Sequence, residues 1–264
     1  MITTLDTPIV CPVLIGRAPQ LAMLERLIAE VHQSRGQVVL IAGEAGIGKS
    51  RLVLETKAHA IDQGFSVLQG RCFEPDRALP FAPLLDLLRD VLATPLATAL
   101  ATALRPAGAD LVRLFPELVE ILPVGGPESP SEPEQEKRHL FQALTQVLRH
   151  MAANQPLLLV IEDIHWSDEA SLEFLLFFAR RILTQPILLL LTCRSEEIHP
   201  GLSHFLAELD RERRTTEITL ARLTNEEIGA LIRAIFQLSR PVTLDFLEAI
   251  ATLTEGNPFL SRKC

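Results

Sequence analysis

The chain has 264 residues, long enough to bury a substantial core, and its 48% hydrophobic and 22% charged residues exclude a disordered polypeptide. A formal charge of -8 supplies no global field for nucleic acid or an anionic membrane surface, so a polyanionic ligand needs a dedicated local site. Tyrosine is absent, and Cys11, Cys72, Cys193 and Cys264 are scattered without a CxxC pair, which points to reduced thiols in a cytoplasmic protein and away from a disulfide or zinc framework.

Residues 19–33 begin with Pro19, suited to a first turn, and place Leu21, Leu24, Leu27, Ile28 and Val31 at helical spacing, which predicts an amphipathic helix. QVVLIAG (37–43) reads as a buried strand, 49–64 as a helix ended by Gly64, and 65–72 as a second strand. From Pro80 to Leu122 the pattern is helical, broken into short pieces by prolines at 83, 95, 106 and 116. A Pro-rich acidic loop is expected over 123–136, then a helix over 136–152 and a strand over 156–162. A helix over 167–183 follows, with Ser167 and Asp168 as capping candidates, then a strand over 186–194. A short strand (216–220) and two helices, 225–238 and 243–253, complete the series. The apolar tract 172–193 is cut by Arg180, Arg181, Gln185 and Pro186, so no membrane span is predicted, and no secretory signal is expected. Strands alternating with helices, most without period-two patterning, predict an α/β fold: a parallel sheet between helical layers, with ligands at the carboxyl ends of the strands.

The strongest chemistry lies in GEAGIGKS, Gly43 to Ser50, which fits G-x-x-x-x-G-K-[ST] between a buried strand and a helix. Such a loop wraps backbone N–H groups around a polyphosphate, so Gly43, Gly46 and Gly48 belong where the chain turns and side chains would collide with oxygens. Glu44, Ala45, Ile47 and Arg51 complete the expected binding segment. Lys49 supplies a charge for the outer phosphates and Ser50 a hydroxyl for Mg2+.

A nearby strand should then end in carboxylates, and LLLVIED does. Glu162 is the candidate for the metal side and Asp163 for orienting the attacking water, although alternation along a strand lets only one aim directly into the pocket. His165 has no neighbours at zinc-ligand spacing and reads as structural, and Trp166 as packing or partner surface. Arg194, after a buried strand, is placed either to contact the γ-phosphate or to pair with Glu196 or Glu197; beside a P-loop the first is favoured.

LIGRAPQLAMLERL (14–27), GEAGIGKSRL (43–52), LPFAPLLDLLR (79–89), LLVIEDIHWSDEASLEFL (158–175), LLLLTCRSEE (188–197) and EGNPFL (255–260) together resemble AAA-like ATPases of the STAND group and the related Orc1-like ATPases, as found in large LuxR-type transcriptional regulators. The resemblance implies a P-loop NTPase three-layer sandwich, strand order 5-1-4-3-2, with a C-terminal helical lid. It further implies that Gly16 and Arg17 lie by the adenine and ribose, that Arg194 is a sensor arginine, and that Gly256, Asn257 and Pro258 form a turn closing over adenine. The corresponding units are an N-terminal segment (1–35), the core (36–222) and a partial lid (223–264). Members often have Asp where Glu162 stands and an acid where Ala18 stands. They also continue beyond GNPFL into further domains, so a fragment, a truncated product or a minimal ATPase is expected.

The expected function is an ATP-binding, slowly hydrolysing regulatory switch using ATP/ADP and Mg2+, with an effector domain or protein partner and nucleotide-dependent self-association. The alternatives are a non-hydrolysing interaction module and, against the acidic charge, a DNA-engaged initiator-like ATPase; direct nucleic-acid binding is not expected from this segment.

Overall fold

The computed structural model describes residues 11–92, 112, 133–211, 215–238, 240 and 242–258. A helix α1 (Ala18–Val31) leads to β1 (Gln37–Gly43), α2 (Lys49–Asp62), β2 (Ser66–Arg71) and α3 (Ala82–Leu92). Next come α4 (Pro133–Asn154), β3 (Leu157–Glu162), α5 (Glu169–Ala179), β4 (Ile187–Arg194), α6 (Pro200–Arg211) and β5 (Thr215–Thr219). Two last helices, α7 (Asn225–Phe236) and α8 (Leu244–Thr254), form the lid. The helix expected from 136 already begins at Pro133, three residues earlier than its pattern suggests, so residues 133–136 of the expected Pro-rich loop are helical. Its remainder, 123–132, and the helical pieces expected after Leu92 lie outside the described residues, Val112 excepted.

Among the described residues the strands form one parallel sheet in the order β2-β3-β4-β1-β5, which is the expected order read from the other edge. Alternation of side chains makes it the middle layer of three. Leu40, Leu159 and Leu189 join one core cluster with Phe141 and Leu148 of α4, Phe174 and Phe178 of α5 and Phe205 of α6. Their chain neighbours Val39, Ile41, Leu158, Val160, Leu188 and Leu190 join the opposite cluster, with Leu24 and Ile28 of α1 and Leu52 and Val53 of α2. Burial on both faces explains why β3 reads as an unbroken apolar run. β5 closes an edge and alternates with exposed Thr and Glu, as an unpartnered edge tolerates.

A third, smaller cluster holds the lid together: Ile228, Leu231 and Ile232 of α7 pack with Ile250 of α8, Leu223 and Cys11. Helix α7 starts in a capping box, with Glu227 N–H donating to Thr224 Oγ1 and the Thr224 N–H returning to the Glu227 carboxylate. Register brings Gly43 of β1 level with Arg194 of β4, so the end of β4 runs beside the start of the glycine-rich loop. No helix among the described residues is long and apolar enough to cross a membrane.

Candidate functional site

The glycine-rich loop carries left-handed backbone at Gly46 (φ 76°) and Gly48 (φ 105°), which an L side chain would resist. At Gly48 a Cβ would meet nothing within 4 Å, so the space beside it is open, as a phosphate cradle requires. Lys49 opens α2 and is buried; its ammonium folds back on its own loop, donating to the carbonyls of Gly43 (2.8 Å) and Glu44 (2.9 Å). Burial lowers its pKa, against the opposing pull of Asp163.

A cavity of about 340 Å³ opens along this loop, within the range of small-molecule sites. Its lining is apolar at Val13, Leu14, Ile15, Leu223, Leu231 and Pro258 and charged at Lys49, Asp163 and Arg194. Ala45, Gly46, Ile47, Gly48, Ser50, Arg51 and Arg17 also line it. The apolar wall drawn from 11–15 and from α7 was not anticipated residue by residue, although Leu14 and Ile15 directly precede the expected Gly16-Arg17 pair.

The structure separates the two carboxylates that end β3. Asp163 faces the cavity, in left-handed backbone (φ 61°, ψ 43°), its N–H held by Thr192 Oγ1 at 2.9 Å. Burial, with Glu162 adding to it, raises its pKa above the usual carboxylate range, while Lys49 and Arg194 pull it back. Glu162 is turned toward β2 instead, where its buried carboxylate accepts from Gln69 Nε2 at 2.5 Å and pairs with Arg71 at 3.4 Å. It is not among the lining residues of the cavity, so the expected metal-side position for Glu162 is not where its side chain sits. The cause is local: β3 alternates faces as far as Glu162, and the left-handed turn then swings Asp163 inward.

Of its two sequence options, Arg194 shows the pairing with an acid of the following loop while also facing the cavity. It lines the cavity, pairs with Glu197 and lies with its guanidinium 4.6 Å from the Trp166 ring centroid. Trp166 thus packs against an arginine. His165 is buried beside them, its Nδ1 3.4 Å from the Arg194 N–H, and burial, helped by Arg194, lowers its pKa to about 4. No group of three or more His, Cys, Asp or Glu side chains suited to a metal occurs among the described residues. Cys72 and Cys193 are buried free thiols whose pKa values burial raises to about 12 and about 11, which removes them as nucleophiles at neutral pH.

Arg17 is a buried fork. Its Nη2 donates to the carbonyls of Ala221 (2.7 Å) and Ile47 (3.2 Å), tying the loop to the chain that enters the lid. Gly16 sits in left-handed backbone (φ 68°), which an L side chain would resist, and a Cβ there would crowd the Glu227 and Leu223 side chains. From the lid, Asn257 Nδ2 donates to the Ala45 carbonyl at 2.8 Å, and Arg222 bridges Glu44 of the loop and Glu255 of the lid. Arg222 carried no recognisable sequence signal, because its partner Glu44 is 178 residues distant.

A glycine-rich loop between a buried strand and a helix, a carboxylate ending β3, and β4 inserted between β3 and β1 define a P-loop nucleotide-binding module of the α/β class. Residues 13–191 match the family model described as AAA ATPase domain, and the chain belongs to that family. A curated, uncharacterized protein of Rhizobium meliloti (strain 1021) is 27% identical over 266 residues, covering 95% of this chain and 25% of the relative. The chain therefore spans about a quarter of the length of that relative. Among solved structures, the Aeropyrum pernix ORC2 protein in its ADPNP-ADP complexes superposes with a TM-score of 0.55 at 17% identity, over 96% of this chain and 61% of that one. AMPPCP-bound DnaA from Aquifex aeolicus gives 0.51 at 15% identity, over 95% and 61%. At such identities these two show a shared fold.

Proposed function

We propose that the module is a nucleotide-operated switch that binds MgATP in the cavity between the P-loop and the lid and hydrolyses it slowly. The observation that carries this reading is that one cavity is walled by the loop and strand ends of the core on one side and by α7 and Pro258 of the lid on the other. Its apolar lining suits a purine, and its charged groups suit a polyphosphate.

The residues present fit the ligand. The left-handed turn at Gly46, the open space at Gly48, the amino end of α2 and the Lys49 ammonium suit phosphate oxygens, with Lys49 exchanging its loop carbonyls for them. Mg2+ characteristically takes one or two protein oxygens with phosphates and water, a demand that Ser50 and Asp163 can meet where no all-protein metal cluster occurs among the described residues. The bound ion would neutralise charge on the phosphates. With the ligand bound, Asp163 would orient an attacking water by its carboxylate, and Arg194 would present its fork to the terminal phosphate. Glu162 positions Arg71 and Gln69 behind the site. ATP and ADP are distinguished by the lid through the Asn257 and Arg222 contacts, so that loss of the terminal phosphate changes how the lid sits on the loop.

A second reading, nucleotide holding without hydrolysis, draws on the single carboxylate facing the cavity. Single-turnover hydrolysis separates the two, because equal rates in wild type and Asp163→Asn remove the enzymatic reading. We further propose cytoplasmic action on a protein partner or effector domain, in regulation of signalling or transcription, with self-association in one nucleotide state. Calorimetric titration with MgATP tests the site itself: wild type binds and Lys49→Ala loses at least tenfold in affinity. Unchanged affinity in Lys49→Ala would remove the assignment.

A further inference from the structure

Arg194 lines the cavity beside Lys49 and Asp163, yet the groups that grip its guanidinium, Trp166 and Glu197, are not lining residues. The guanidinium carbon stands 4.6 Å from the Trp166 ring centroid, inside the roughly 6 Å over which a ring face attracts a cation. Nη1 donates to Glu197 Oε1, the one hydrogen bond of this guanidinium among the described residues, so its other N–H groups remain for a ligand. Arg194 lowers the pKa values of both Lys49 and Asp163, which places its charge among the groups that face the cavity.

The ring is itself held in place. Trp166 ends a one-turn 3₁₀ helix (Ile164–Trp166) that Asp163 opens, its N–H donates to the Asp163 carbonyl at 2.9 Å, and its side chain packs against the core cluster of α4, α5 and α6. Buried His165 braces the arrangement from behind, with ring centroids 4.6 Å apart and its Nδ1 accepting the Arg194 backbone N–H at 3.4 Å. With Nδ1 accepting, the proton of the neutral imidazole belongs on Nε2, which faces the second Glu197 oxygen at 3.6 Å. A long arginine side chain otherwise keeps rotamer freedom that binding must remove, so a fixed ring face lowers the cost of engaging an anion.

We propose that Trp166 is a positioning residue of the nucleotide site: its ring holds the Arg194 guanidinium at the cavity before the ligand arrives, so that a phosphate meets a cation already oriented. The inference rests on the nucleotide reading given above and deepens it. Trp166 acts through Arg194, because its own side chain does not line the cavity. The ring carries no net charge, so replacing it leaves the charges of Lys49, Asp163 and Arg194 in place and removes the hold.

The test is a double-mutant cycle read by calorimetric titration with a non-hydrolysable MgATP analogue, on wild type, Trp166→Leu, Trp166→Phe, Arg194→Ala, the Trp166→Leu/Arg194→Ala pair and Lys49→Ala. Trp166→Leu keeps an apolar side chain against the core and loses the ring face; Trp166→Phe keeps a face. Arg194→Ala and Trp166→Leu are each expected to lose about threefold or more in affinity, with Trp166→Phe within about twofold of wild type. In the Arg194→Ala background, Trp166→Leu should cost less than about twofold further, because nothing is left for the ring to hold. An equal loss in both backgrounds, which a merely structural role or one exerted through the Asp163 turn would give, would overturn the proposal, as would wild-type affinity in Trp166→Leu or in Arg194→Ala, while Lys49→Ala still loses binding. A second measurement keeps the ring in place: Trp166 is the only tryptophan of the chain, and acrylamide quenching of its emission without nucleotide should rise in Arg194→Ala. Equal quenching in the two proteins would mean that the arginine does not cover the ring. If wild type binds no nucleotide, or Lys49→Ala binds as wild type does, the site assignment fails and the role of Trp166 falls with it.

Discussion

The side-chain amide of Asn257, just beyond α8, donates to the carbonyl of Ala45 in the P-loop across 212 residues of sequence, at 2.8 Å. A lid contact thereby fixes a loop whose neighbouring amides face the cavity. Asn257→Ala removes this grip, and nucleotide affinity is expected to fall roughly two- to tenfold, the worth of one hydrogen bond. A fluorescence titration giving an unchanged Kd would show that the lid does not hold the loop for binding.

The two acids that end β3 should fail in different ways. Asp163→Asn keeps the fold and nucleotide binding but slows single-turnover hydrolysis by about a hundredfold or more, as expected for removing a group that orients the attacking water. Glu162→Ala strips the partner from Gln69 and Arg71 and should cost about 1–3 kcal/mol in urea unfolding. The reverse pattern would mean that Glu162 swings into the pocket when nucleotide binds.

That division shows where legibility in the sequence ends. The buried strands were readable because burial on both faces leaves unbroken apolar runs, and the glycine-rich loop was readable because its chemistry is packed into eight consecutive residues. The choice between Glu162 and Asp163 was not, since it depends on a left-handed turn at a single non-glycine residue. Helix α6 carries its signal in Leu202, Phe205 and Leu209 behind Pro200, and the α7 capping box in Thr224 and Glu227; both were present at helical spacing, although neither was anticipated. Arg222 and Glu196 lay beyond sequence reasoning, because each meets a loop residue far away in the chain and a surface charge has no period to betray it.

Arg17 should matter to the fold before it matters to the ligand. Its fork spans the Ile47 and Ala221 carbonyls, so Arg17→Ala leaves two acceptors without their donor and is expected to cost about 1–3 kcal/mol. Arg17→Lys should recover only part of this, because an ammonium does not reproduce the planar fork. Full stability of Arg17→Ala in urea would assign the residue to the nucleotide alone.

His165 sets an acid limit. Its pKa is lowered from 6.5 to about 4, mainly by burial and by Arg194, with Glu197 and Glu196 opposing and Lys49 assisting. Between these values the unfolded chain takes up a proton that the folded protein refuses, so the stability tied to neutral His165 is complete above pH 6.5 and falls as pH drops toward 4. His165→Gln should flatten this limb of a stability-against-pH curve. An identical slope in wild type and variant would place the acid sensitivity elsewhere.

The central claim is that one nucleotide is held by the P-loop and the lid together, and amide hydrogen exchange measures both at once. Adding a non-hydrolysable MgATP analogue should slow exchange in residues 43–51 and, in the same titration, across 223–238 and 242–258, with weaker lid protection under MgADP. Protection confined to the P-loop, or equal lid protection by both nucleotides, would contradict the account.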